Sequence, residues 1–96
     1  MTEAQRKAVR VIISGRVQGV WFRGWTIETA HKHGLDGWVR NRYDGTVEAV
    51  FSGPDEQVDD MVRACRRGPP MARVTDLISF SHDEPVPPGF HPLPSE

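Results

Sequence analysis

Residues 37–51 read Gly-Trp-Val-Arg-Asn-Arg-Tyr-Asp-Gly-Thr-Val-Glu-Ala-Val-Phe, and this stretch decides the fold. Val47, Ala49 and Phe51 alternate with Glu48 and Val50, the period of two that sends successive side chains to opposite faces of a strand. A second strand-like run, Gly37 to Asn41, precedes it. The Asp44-Gly45 pair between the two runs is a strong hairpin signal. Two antiparallel neighbours are therefore expected here.

Working outward, residues 8–14 (Ala-Val-Arg-Val-Ile-Ile-Ser) are β-branched and roughly alternating, and predict a strand that ends at Gly15. Phe22, Thr26, Ile27 and Ala30 stand at helical spacing before Gly34, a natural C-cap, so a helix is expected over 22–33. Beyond the hairpin, Gly53-Pro54-Asp55 opens a second helix with Pro early and acids in the first turn. Val58, Met61, Val62 and Cys65 form its apolar stripe, and Gly68-Pro69-Pro70 ends it. Residues 73–81 predict a further strand, although Asp76 interrupts its alternation. The order is β-α-β-β-α-β. That is the α+β, ferredoxin-like (split βαβ) sandwich, an antiparallel sheet with two helices on one face and the other face open.

All 96 residues fit a single domain, with 1–7 as an N-terminal extension and 85–96 as a Pro-rich tail. The tail holds five of the eight prolines and is expected to be irregular, with at most a short edge strand near Phe90. A net charge of −1 argues against a nucleic-acid footprint, which needs excess positive charge on one face. A small anionic partner needs only a local positive site. The longest apolar run near the start, Val11-Ile12-Ile13, is too short for a signal peptide or membrane span. No membrane partner and a cytoplasmic monomer are the expectations.

Between the first strand and the first helix lies Gly15-Arg16-Val17-Gln18-Gly19-Val20-Trp21-Phe22-Arg23. Its glycines let the backbone curl, and successive N–H groups can converge on an anion at a helix N-terminus. Arg23, in the first helical turn, would otherwise oppose the helix dipole. This pattern alone leaves two readings, an anion nest or a plain turn beside a solvated Arg23. It is not a Walker A loop, which needs Lys and Ser or Thr directly after the second glycine.

The loop is similar to the acylphosphatase signature G-x-V-Q-G-V-x-[FY]-R and matches it at every fixed position. Gly37, Trp38, Val39, Asn41, Gly45, Val47 and Gly53 resemble that family's second signature. Gly68-Pro69 followed by Ala72-Arg73-Val74 resembles its return into the fourth strand. The likeness covers roughly residues 8–84. It implies hydrolysis of acyl phosphates, with the backbone amides of Gln18, Gly19, Val20, Trp21, Phe22 and Arg23 cradling the phosphate. Arg23 would also bind it through its side chain, and Asn41 would position the attacking water. Thr46 is a weaker candidate, supporting Asn41 from the neighbouring strand.

The chemistry suits so sparse a site. An acyl phosphate expels a carboxylate whose conjugate acid has a pKa of about 4, so no general acid is needed. Positioning and charge stabilisation remain, and amides with one guanidinium supply both. A phosphate monoester, which expels an alkoxide, would demand more. No metal or other cofactor is expected: His31 and His33 point apart on a helix, His82-Asp83-Glu84 reads as a solvated strand end, and no Cys/His cluster has zinc spacing.

Cys65 belongs to the apolar stripe. Trp21, at the variable loop position, could line the acyl side of a substrate pocket, while Trp38 and Tyr43 could cover the open sheet face. Two other readings compete. One is a non-catalytic ferredoxin-like binding module for RNA or a small anion. The other, a unit of a larger carbamoyl-transfer enzyme, fits a chain of 96 residues poorly.

Overall fold

The computed structural model describes residues 5–96. Its elements are β1 (Arg6–Arg16), α1 (Phe22–Lys32), β2 (Asp36–Asn41), β3 (Val47–Pro54), α2 (Asp55–Arg67), β4 (Arg73–Ser81) and β5 (Phe90–Pro92). The sheet order is β4-β1-β3-β2-β5. The first four strands pair antiparallel: the tight turn sets β2 beside β3, and each helix crossover skips one strand position, which an antiparallel strand fills. The sheet as a whole is mixed, because β5 adds to its edge parallel to β2. The chain reaches that edge from β4, at the opposite edge, and arrives running in the direction of β2.

The element boundaries differ from expectation at two places. β1 begins at Arg6, so Arg6 and Lys7, assigned to the extension, pair with Pro54 and Gly53. Residues 1–4 of that extension lie outside the described residues. Asp76 interrupts the alternation of β4 because the register of β1 against β4 shifts between Ser14 and Gly15, where Ser14 faces Asp76. The extra residue is Thr75 of β4, which has no partner in β1, and such a bulge increases the local twist.

Val11, Ile13, Val39, Val47, Ala49, Phe51 and Leu77 send side chains to the helix-bearing face, against Phe22 and Ala30 of α1 and Val58, Met61 and Cys65 of α2. Burial of each large apolar side chain contributes about 1.5–3 kcal/mol. Phe90 joins this core by stacking on Phe51, with ring centroids 5.6 Å apart, which anchors the start of the tail. Cys65 is fully buried, and burial pushes its thiol pKa up to about 12.

The other face is open to solvent yet not bare. Glu48 is 5% exposed there and accepts from Arg10 Nη1 at 2.9 Å and from Arg40 Nε at 2.7 Å. The two guanidiniums lie over aromatic rings in turn, Arg10 over Phe80 at 4.7 Å and Arg40 over Trp38 at 4.8 Å. Arg40 also pairs with Glu96 at the end of the tail. Trp38 thus covers this face as expected. Tyr43 does not, being 85% exposed in the turn after β2.

Glu48→Gln is expected to lower unfolding stability by about 2 kcal/mol in urea titration. Losing one member of a buried ion pair costs more when its partners are fully desolvated, and here both arginines still reach water. Activity per folded molecule should be kept, because Glu48 points away from the helix-bearing side. A stability loss below about 0.5 kcal/mol would show that the charged row is neutral for folding.

Candidate active site

Hydrogen-bond register sets the site. Ile13 pairs with Val47, and Val47 pairs with Asn41, so the exit of β1 and the end of β2 lie at the same end of the sheet. Two strand spacings separate them, about 10 Å. The loop 17–21 and the start of α1 fill the gap.

The loop turns through two left-handed residues, Gly19 (φ 73°) and Trp21 (φ 65°, ψ 22°). Glycine takes this conformation freely, whereas a residue with a Cβ loses about 1–2 kcal/mol. Trp21 is the N-cap of α1, and it offers no capping side-chain hydrogen bond; nor does any acidic residue stand in the first turn. The first helical bond is donated by Trp25 N to Trp21 O at 3.0 Å. The N–H groups of the turn before it keep no intrahelical partner. By contrast, α2 starts with Asp55 and Glu56, which complement its dipole. Neither helix has a side-chain cap, and only α2 carries acids in its first turn.

A cavity of about 270 Å³ opens at the start of α1. Gly19, Trp21, Phe22 and Arg23 line it from the loop and α1, and Asn41 from the end of β2. The structure thus brings these five predicted residues together. Arg23 is exposed and, among the described residues, makes no ion pair. Asn41 is half-buried, and its backbone carbonyl accepts from Glu96 N at 3.1 Å. Among the described residues, its side chain takes part in no side-chain hydrogen bond.

Gln18, Val20 and Thr46 do not line the cavity. Gln18 faces the hairpin instead: its Nε2 donates to Arg42 O at 2.8 Å and to Thr46 O at 2.9 Å. The side chain of Thr46 turns away from Asn41, its hydroxyl donating to Asp44 Oδ1 at 2.6 Å. That bond, with one from the Thr46 amide, holds the Asp44 carboxyl below its usual pKa. Thr46 therefore meets the site through its carbonyl, as the acceptor of Gln18.

Sequence reasoning missed the Gln18 tie because the two acceptors are 24 and 28 residues away. The tie joins the loop that leads into α1 and Arg23 to the hairpin that bears Asn41. Gln18→Glu keeps the shape and loses both donors, so a carboxylate would face two carbonyl oxygens. We expect Gln18→Ala to lower kcat/KM about tenfold to a hundredfold, as a displacement near 1 Å can, and Gln18→Glu to be at least as damaging. Steady-state kinetics on the two variants checks this, and a fully active Gln18→Glu would remove the tie from the mechanism.

Val17, Gly24 and Pro92 complete the lining, and none was foreseen. Gly24 left one signal, a glycine inside the first turn of a helix, where it costs about 1 kcal/mol relative to alanine. The structure explains it: a Cβ there would meet Trp21 Nε1 at 2.1 Å. Pro92 comes from the tail, which runs along β2 well beyond β5. Gly37 N donates to Gly89 O, Leu93 N to Val39 O, and Tyr43 N to Glu96 O, at 2.9, 2.9 and 3.0 Å. Pro92 and Pro94 lack N–H groups, and the residues between and beyond them supply the donors that pairing uses. Among the described residues, no three His, Cys, Asp or Glu side chains are placed to share a metal ion.

Sequence and structure comparisons place nearly the whole chain among known proteins. The acylphosphatase family model matches residues 9–92, a span that includes the tail as far as Pro92. An acylphosphatase of Rhodospirillum rubrum is 60% identical over 89 residues, covering 93% of this chain and 98% of its own length. One of Acidiphilium cryptum is 52% identical over 83 residues, covering 86% of this chain and 91% of its own. The crystal structure of acylphosphatase from Bacillus subtilis superposes with a TM-score of 0.86 at 36% identity, over 93% of this chain and 99% of that one. Matched in sequence and fold over nearly its whole length, the chain belongs to the acylphosphatase family.

Proposed function

We propose that this chain hydrolyses acyl phosphates, cutting the carboxyl–phosphate bond to give a carboxylate and inorganic phosphate. The observation that carries the reading is the cavity at the start of α1. An arginine in no ion pair and an asparagine with an unengaged side chain, both among the described residues, meet there at a helix N-terminus without a side-chain cap.

In the mechanism, the phosphoryl oxygens sit against the amides of Gly19 to Arg23, with the Arg23 guanidinium giving two parallel hydrogen bonds. Asn41 holds a water on the side of phosphorus opposite the acyl oxygen. It accepts from the water through Oδ1 and donates to a phosphoryl oxygen through Nδ2. Water oxygen bonds to phosphorus as the phosphorus–acyl oxygen bond breaks, and the electron pair leaves on the carboxylate. The proton lost by water passes to solvent. The carboxylate is stable as an anion at neutral pH, so neither a general acid nor a metal is assigned a step. Thr46 contributes by holding Gln18.

We further propose that the chain works as a cytoplasmic monomer, with no nucleic-acid partner. Arg10 and Arg40 of the open face are already engaged by Glu48, which speaks against a polyanion docking on them. No helix among the described residues is long and apolar enough to cross a membrane. The single cysteine is buried and free, as in reducing compartments.

The test is release of phosphate from benzoyl phosphate by the purified chain in excess EDTA. Rapid hydrolysis is expected. A folded chain that releases none would overturn the proposal.

A further inference from the structure

Three observations about Trp21 remain unexplained by folding or by phosphate binding. Its backbone is left-handed, a conformation that glycine would occupy at no cost. Its indole is 59% exposed, so burial does not offset that cost. Gly24, two positions into the following helix, leaves no room for a Cβ because the indole lies against it at 2.1 Å from where that Cβ would stand. Two unfavourable local choices thus combine to lay one exposed aromatic ring on the rim of the cavity.

The lining of the cavity is also not polar throughout. Gly19, Arg23 and Asn41 make up the polar side. Trp21 and Pro92 present apolar surfaces from the loop before α1 and from the tail.

We infer that Trp21 and Pro92 form the subsite for the acyl group, and that it selects planar aromatic acyl phosphates over small aliphatic ones. The inference rests on the acyl-phosphate reading and adds its substrate class. An aryl ring stacks on the indole in an offset arrangement and covers apolar surface that acetyl cannot reach. Pro92 offers a rigid ring that costs no side-chain entropy to order.

The experiment compares kcat/KM for benzoyl phosphate with kcat/KM for acetyl phosphate, in the wild type and in Trp21→Gly, Trp21→Asn and Trp21→Phe. Gly and Asn tolerate the left-handed backbone, and circular dichroism checks that each variant is folded. The ratio of the two constants cancels any loss that the loop amides impose on both substrates. In Trp21→Gly and Trp21→Asn the ratio should fall about five- to tenfold, mainly through KM for benzoyl phosphate. Trp21→Phe should restore it to within about twofold. A wild type that cleaves both substrates, with a ratio unmoved in the Gly and Asn variants, would sink this inference alone. A folded wild type that cleaves neither would sink the underlying reading with it.

Discussion

Arg23→Ala is expected to lower kcat/KM for benzoyl phosphate by about 10²–10³, the usual effect of removing one preorganised donor from a developing oxyanion. The fold should be intact. Arg23 is exposed, pairs with no acid among the described residues and lies in the first turn of α1, where a positive charge opposes the helix dipole. Its removal should therefore leave the thermal midpoint unchanged or slightly raised. Loss of activity together with unchanged or raised stability separates a ligand-binding arginine from a structural one. Arg23→Lys keeps the charge but loses the planar fork, so its activity should fall between the two. Inhibition by inorganic phosphate should weaken in parallel. An Arg23→Ala enzyme within threefold of wild type would mean that the amides bind phosphate without it.

Asn41→Ala is expected to lower kcat by a comparable factor while phosphate affinity is largely kept. The residue sits at the last pair of β2 with β3, and Glu96 N holds its carbonyl. Truncating the side chain thus removes the proposed water-holding group from a backbone that stays in place. Calorimetric titration with inorganic phosphate, beside turnover measurements, checks the division of roles. If phosphate binding disappeared in Asn41→Ala, the assignment of water to Asn41 and of phosphate to the loop would be wrong. A modest fall in both quantities would point to general loosening of the hairpin instead.

Much of this architecture was legible in the chain because its signals are local. The alternation of Val47, Ala49 and Phe51, the Asp44-Gly45 turn and the stripe of Val58, Met61 and Cys65 each lie within one element. Each appears in the structure as predicted. The positions of Arg23 and Asn41 were legible through the two family signatures; the register of β1, β3 and β2 brings both to one cavity.

What the sequence by itself determined is the order of the first four strands and two helices, the alternation of β1 and β3 and the loop that could receive an anion. Periodicity, turn chemistry and the glycine positions act over a few residues and leave their mark in any short window. Only the tertiary structure decided that Gln18 ties the loop to the hairpin, that Glu48 is enclosed between Arg10 and Arg40, and that the tail runs parallel to β2. The same holds for Pro92, set beside Trp21 at the cavity. Each of these depends on strand register and on partners tens of residues away. A side chain that can donate or pack in many places carries no local mark of the partner it will meet.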